Sequence, residues 1–275
     1  MPFDLSILGK SSAVHRHRYR WNDAVLYALA VGAGERELAY LYEGAGRKVL
    51  PSYAVVPTLE PCRELLGRLA GGFGDLVHRY QRLVVHAELP PEGELDTVGQ
   101  IVDVCGHGAM AEVTGRTQTR TIAGELVAET EFSVIYRTAD VVTTGPSARR
   151  RKHVAPATPP EFRAQERTLP IQSLLYRLSG DDNPIHADPE AARKTGFPRP
   201  ILHGLCTFGY VCRAVLRARP DRRLRALEAE FRKPAYPGDT LDIHGWPDGA
   251  SVVMQVTTTD RPTETVLQGV RAELS

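Results

Sequence analysis

Runs rich in Val, Ile and Thr, punctuated by Gly, Pro and Asp, recur in two separate blocks of this chain. In the first block they cover residues 97–104, 109–121 and 125–137, separated by Gly106-His107-Gly108 and Ile122-Ala123-Gly124, which predicts antiparallel strands. In the second they cover 224–232, 240–246, 251–259 and 264–274, interrupted by Pro237-Gly238-Asp239, Pro247-Asp248-Gly249 and Asp260-Arg261-Pro262. Just ahead of that block Leu205, Phe208, Val211, Cys212, Val215 and Leu216 recur at helical spacing, predicting a helix from near Gly204 to Ala218. A long apolar-faced helix followed by four strands predicts a sheet wrapped around it.

The first half opens similarly, with a short helix expected over 21–30. Its middle is broken by Pro51, Pro57, Pro61 and Gly71-Gly72, so its central helix is expected to be short or displaced. Between Thr138 and Gln165 the apolar periodicity gives way to Pro, Ser, Thr and Arg, as in a surface linker. The expected organisation is therefore α+β: residues 1–137 as one unit, 138–165 as linker and 166–275 as a second unit, two copies of one design with the first copy modified.

At 275 residues, 42% hydrophobic and 24% charged, the chain can bury one large core or two small ones. A formal net charge of +1 gives no bulk attraction to nucleic acid or to a membrane, so neither is expected as a partner. The concentrated exception, Ser147-Ala148-Arg149-Arg150-Arg151-Lys152, reads as a solvated linker, with coenzyme phosphate binding or a partner contact as the alternatives. Cys62, Cys105, Cys206 and Cys212 show no C-x-x-C spacing, which fits a reducing, cytoplasmic setting. The first residues show no basic start followed by an apolar stretch, no apolar segment reaches the roughly 18 residues that span a bilayer, and the last three residues are not a peroxisomal address. His15-x-His17 has metal-ligand spacing, but Arg16 and Arg18 around it predict a solvated basic strand or loop instead.

Chemistry concentrates in Tyr176-Arg177-Leu178-Ser179-Gly180-Asp181-Asp182-Asn183-Pro184-Ile185-His186. Gly180 and Pro184 force an irregular backbone, so Asp181 and His186 are expected on a loop that can turn both toward one point. A carboxylate and an imidazole so placed can hold one water, accept its proton and return one. Asn183 is positioned to orient one of them, and Asp182 is expected to face solvent. On the residues alone a plainer reading stands beside this: Asp181 and Asn183 cap the turn, and His186 is a satisfied surface histidine. Downstream, Asp188-Pro189 and Gly196 bracket a short structural helix. Phe197-Pro198-Arg199-Pro200-Ile201-Leu202-His203-Gly204 then leads into the long helix, putting the Gly204 N–H at a helix N-terminus where developing negative charge is stabilised.

Together, the Asp181-x-Asn183-Pro184-Ile185-His186 segment and Pro200-Ile201-Leu202-His203-Gly204-Leu205 resemble the signature of the hydratase 2 family, the MaoC-like (R)-specific enoyl-CoA hydratases. Asp23-Ala24-Val25-Leu26-Tyr27-Ala28 looks like the opening of its two-domain members, so the resemblance covers nearly the whole chain. It implies a double hot-dog fold, Asp181 and His186 as the water-holding pair, Asn183 as their support, the Gly204 amide as oxyanion donor, and an acyl tail housed in the first half. It also implies ligand contacts at His78, Arg79 and His107, two of which depart from the family's residue types, and an aromatic contact at Phe231. The implied activity is reversible hydration of trans-2-enoyl thioesters, on coenzyme A or acyl carrier protein, to (R)-3-hydroxyacyl thioesters, with no metal or redox cofactor. A hot-dog acyl thioesterase and a non-catalytic acyl-thioester-binding subunit are the alternatives, the latter if Arg79 blocks the tunnel. Hot-dog units pair through sheet edges, and a homodimer is expected.

Overall fold

The computed structural model describes residues 3–71, 76–107, 109–137 and 153–275. The basic run at 147–152, the first part of the expected linker and the His107 side chain lie outside the described residues.

The first half begins with strand β1 (His15–Tyr19) and helix α1 (Trp21–Ala30). Asp23 closes the start of α1 by accepting from the Arg20 N–H at 2.8 Å. A 3-10 segment (Pro51–Thr58) runs into α2 (Leu59–Ala70). Pro61 sits in the first turn of α2, where a missing N–H costs nothing, and Gly71 ends the helix in the left-handed region at φ 76°. Four long strands follow: β2 (Leu76–Val85), β3 (Gly93–His107), β4 (Met110–Thr121) and β5 (Leu126–Arg137). The last three answer the runs seen in the sequence. Both β1 and β2 are interrupted by Arg and His, which dilutes the strand signal.

The second half contains β6 (Phe162–Arg167), the short helices α3 (Gln172–Tyr176) and α4 (Pro189–Lys194), α5 (Gly204–Ala218), β7 (Leu224–Phe231), β8 (Thr240–Asp248), β9 (Ser251–Thr258) and β10 (Leu267–Leu274). One boundary shifts. Strand β6 starts inside the segment expected to be linker and pairs with β8 from Phe162 opposite Gly245 to Arg167 opposite Thr240. Its alternate residues face solvent on an edge, so a polar strand reads like a loop.

Among the described residues all strands join one antiparallel sheet of ten, ordered β1-β3-β4-β5-β2-β7-β10-β9-β8-β6. The seam is the β2–β7 pair, with Leu83 opposite Leu227 and Tyr80 opposite Glu230, so the two units pair edge to edge within one chain. The open edges carry Arg16 and Arg18 on β1, and Arg163, Glu166 and Arg167 on β6. Charges there oppose further edge pairing.

Each half wraps its sheet on a helix. In the second half α5 is the core: Phe208, Val211, Cys212 and Val215 are fully buried in the larger apolar cluster, which also takes in α1 and Tyr53 from the first half. In the first half Leu65, Leu66 and Leu69 of α2 form a smaller cluster with Ile101, Val104, Val113 and Phe132. The halves approach closely where α1 meets α5. A side chain on Gly209 would lie 2.4 Å from Val31, so only glycine admits that contact.

The same contact holds a charged group in the core. Arg213 of α5 is 2% exposed; its Nε donates to Glu37 at 3.0 Å and its Nη1 to the Val31 carbonyl at 2.8 Å. Glu37 is itself buried, and Arg217 and Glu166 complete the network. Removing one member of such a pair leaves the other charge buried without its partner. Arg213→Leu is expected to lower the free energy of unfolding by about 3 kcal/mol, read as a shift of the denaturant midpoint.

Candidate active site

The segment after α3 is shaped by backbone needs. Gly180 adopts φ 117°, a region closed to most side chains, and turns the chain away from the short helix. Asn183 Oδ1 then accepts from the Ile185 N–H at 3.2 Å and caps a single 3-10 turn (Pro184–His186). Asn183 therefore organises the loop through its backbone, and the Asp181 carboxylate accepts a longer bond from the Asn183 N–H at 3.3 Å. The capping role weighed in the sequence is present, but it does not satisfy His186, which is 7% exposed rather than a surface histidine.

His186 Nδ1 lies 2.9 Å from the Ile201 carbonyl. A carbonyl only accepts, so the neutral ring carries its proton on Nδ1 and leaves the Nε2 lone pair for another partner. Asp181, His186 and His203 each place one polar atom within 4.8 Å of the others. That separation suits a water about 2.8 Å from both the carboxylate and the imidazole.

The sequence pattern assigns no role to His203. It is 1% exposed, its ring stacks on His186 at 3.6 Å between centroids, and its Nε2 lies 3.1 Å from the Asp181 carbonyl. Tyr176 flanks its other side at 4.8 Å. It thus ties the Asp181 loop to the residue that precedes α5. A histidine directly before a glycine-started apolar helix was the available signal, but its contacts are long-range and no local pattern reports them. The trio has metal-ligand chemistry, yet the two imidazole planes lie within 25° of parallel. His203 Nε2 donates to the Asp181 carbonyl, and its Nδ1 is buried with no hydrogen-bond partner among the described residues.

Burial decides the protonation of both rings. Desolvation lowers the His186 pKa from the ordinary 6.5, opposed by the Asp181 charge and the bond to Ile201. Desolvation, then the neighbouring His186, holds His203 well below the same value. Both are neutral at pH 7.

Gly204 is the first residue of α5, so its N–H lies outside the helical ladder. A side chain there would meet the Phe231 ring at 2.9 Å, which explains glycine by packing as well as by amide exposure. Phe231 also lies 4.6 Å from His78, whose Nε2 is 2.9 Å from the Tyr80 carbonyl. Desolvation by burial in the cavity wall pushes the His78 pKa down to about 4.

Asp181, Asn183, His186, Gly204, His78 and Phe231 all line one cavity of about 240 Å³. Its remaining wall comes from both halves, including Leu59, Cys62 and Leu66 on α2. Arg79 does not line it. Its guanidinium donates to the Phe231 carbonyl at 3.2 Å and pairs with Glu230 at 3.3 Å, which holds it toward β7. The backbone of His107 ends β3, with its side chain outside the described residues. Asp182 is exposed as expected, but Arg63 of α2 binds it and donates to the Gly180 carbonyl at 3.1 Å, strapping the loop to the first half. His15 and His17 point to different partners, Glu64 at 2.8 Å and the Tyr53 hydroxyl at 3.1 Å.

With this geometry in place, likeness to known proteins is informative. Residues 17–138 match the MFE-2 hydratase 2 N-terminal domain, and residues 151–267 match the MaoC like domain. An enoyl-CoA hydratase of Mycobacterium tuberculosis is 36% identical over 98% of this chain and 98% of its own. The 3-hydroxyacyl-thioester dehydratase Y of that organism is 37% identical over 83% of this chain and 82% of its own. The crystal structure of a MaoC-like dehydratase from Phytophthora capsici superposes with a TM-score of 0.85 at 25% identity, covering 99% of this chain and 98% of that one. For the fold alone, a double hotdog protein of Mycobacterium tuberculosis superposes at 0.67 with 15% identity, covering 100% of this chain and 98% of that one.

Neutral buried imidazoles carry a stability consequence. The unfolded chain takes up protons near 6.5 while the folded rings resist until lower pH, so this contribution is present above 6.5 and is lost as pH falls through the folded values. Titration of the ring resonances by NMR is expected to give midpoints below 6.5 for both, His203 the lower. A His186 midpoint at or above 6.5 contradicts the assignment.

Proposed function

This chain belongs to the MaoC-like dehydratase and hydratase 2 family, and from that premise we propose how its site works. The chain is a hydro-lyase that interconverts enoyl thioesters and 3-hydroxyacyl thioesters. The observation that carries the assignment of roles is the meeting of the Asp181 carboxylate, the His186 Nε2 and the Gly204 N–H around a single cavity.

In the hydration direction, Asp181 and His186 accept the two hydrogens of one water and direct its oxygen at the β-carbon. As the C–O bond forms, the double-bond electrons move toward the α-carbon and the thioester oxygen. The Gly204 N–H, reinforced by the α5 dipole, meets that charge. One water proton passes to the Asp181–His186 pair and one is returned to the α-carbon, so the sum is the uptake of one water. Keeping His186 neutral suits this exchange, because an imidazolium would start with no lone pair to offer. Asn183 supports the pair by fixing the loop.

The remaining assignments follow the same layout. The 166–275 unit carries the chemistry, and the 1–137 unit receives the acyl tail through the α2 side of the cavity, with His78 and Phe231 against the ligand. Arg232 and Lys233, exposed cations on the cavity wall, favour a phosphate-bearing carrier, coenzyme A or acyl carrier protein, and the product is the (R)-alcohol. Both halves of one chain supply the cavity, so a homodimer adds no wall residue that the site requires. No helix among the described residues is long and apolar enough to cross a membrane. The four cysteines are unpaired and three are buried, which supports a reducing compartment such as the cytoplasm.

Loss of the conjugated enoyl absorbance of crotonyl-CoA, followed beside a free-thiol assay, tests the reading. Loss without thiol is expected; thiol release would make the protein a thioesterase. Asp181→Asn is expected to lower kcat by a factor of about 10² to 10⁴ with an unchanged circular dichroism spectrum. Full turnover in that folded variant removes the proposed role.

A further inference from the structure

The cavity continues past the reacting groups along one face of α2. Leu59, Cys62 and Leu66 line it at helical spacing. Leu59 stands beside the catalytic loop, with a methyl carbon 3.3 Å from where a side chain on Gly180 would begin. Leu66 lies seven residues on, about 10 Å further along the helix axis. There the opposite wall is β2 and β5, through Leu76, Phe132 and Val134, and every side chain named is apolar.

Phe132 takes an unusual place in that wall. It pairs with Gly115 on the neighbouring strand and belongs to the core cluster of Leu66, while its ring still borders the cavity. A side chain on Gly115 would begin 2.3 Å from the ring's Cζ and 2.5 Å from its Cε1. The ring therefore lies across β4 in the notch that the missing side chain leaves, instead of standing out from β5 into the cavity. Below it the sheet is continuous, so the open direction for a displaced ring is the cavity itself. On the next strand, Gly99 performs a related service for α2. A side chain there would meet Leu65 at 2.9 Å and Pro61 at 3.3 Å, which would lift the helix and change the cavity's height.

We propose that the Gly115–Phe132 pair sets the depth of the acyl channel, and that the ring laid over Gly115 admits medium-chain enoyl thioesters while limiting longer ones. This rests on the reading of the cavity as an enoyl-thioester site. A crotonyl group ends near Leu59 and never reaches the ring, whereas a decenoyl tail runs along α2 to it.

The test compares crotonyl-CoA, trans-2-decenoyl-CoA and trans-2-hexadecenoyl-CoA with the full chain and the variants Gly115→Ala, Phe132→Ala and Phe132→Leu. Binding of butyryl-CoA, decanoyl-CoA and palmitoyl-CoA is measured in parallel by calorimetry, so channel depth is read even without turnover. In Gly115→Ala the ring swings into the channel and removes room for roughly two methylene groups. The decenoyl-to-crotonyl ratio of kcat/KM, and the matching ratio of affinities, are expected to fall about tenfold. Phe132→Ala is expected to raise the hexadecenoyl-to-crotonyl ratio by a similar factor. Phe132→Leu, which keeps an apolar plug, separates depth from misfolding and is expected to fall between the parent and Phe132→Ala. Unchanged chain-length ratios in folded variants overturn the proposal while leaving the hydratase reading intact. Absent turnover with chain-length-dependent binding that shifts as described overturns the hydratase reading and upholds the channel.

Discussion

A fifteen-residue helix lies inside its own sheet, and its first residue is also a wall of the reaction cavity. Because α5 is buried on nearly every side, its position is set by what surrounds it: the second-half strands, α1 at Gly209, and the Arg213–Glu37 pair that crosses to the first half. The His203–Gly204 step is held at one end of that fixed rod. A backbone N–H carried on a loop would have to be ordered for each ligand, whereas the Gly204 N–H is positioned by core packing.

The Asp181 and His186 side chains are placed by a second set of constraints that meets the first at His203. Asp181 and His186 come from a loop whose shape is local, created by Gly180 and the Asn183 cap. What points that loop at Gly204 is tertiary: the His203 bond to the Asp181 carbonyl, the Ile201 carbonyl on His186, and Arg63 reaching from the first half to Asp182. Desolvation acts on the same groups, keeping both rings neutral while the Asp181 charge favours proton uptake by His186. The site thus balances burial against a carboxylate, a setting in which an imidazole can exchange a proton near neutrality.

Fusing two sheets through β2 and β7 gives the halves different work. The second half spends its interior on α5. The first half packs the shorter α2 to one side and leaves cavity space between that helix and the sheet. The glycines at 99 and 115 adjust that space by fractions of a side chain, a scale at which close-packed interiors respond to single methyl groups. Charged residues on the two outer strands leave the internal seam as the favoured edge pairing.

The sequence by itself determined what short-range chemistry writes. Strand runs of Val, Ile and Thr, the apolar period of α5, the caps at Asp188 and Gly180, and the Asp181-x-Asn183-Pro184-Ile185-His186 loop are all visible because local sterics and burial periodicity dictate them. Together with the resemblance they made the family and the wrapped α+β fold legible. Strands β2 and β6 escaped, since a strand at a seam or an edge is satisfied by partners far away in the chain and need not look apolar. For the same reason only the tertiary structure decided that Arg79 turns to the β7 backbone, that His203 stacks on His186, that Arg63 straps the loop, and that Phe132 lies over Gly115. Each is a contact between residues distant in sequence, and its energy depends on distance and burial that exist only once the chain has folded.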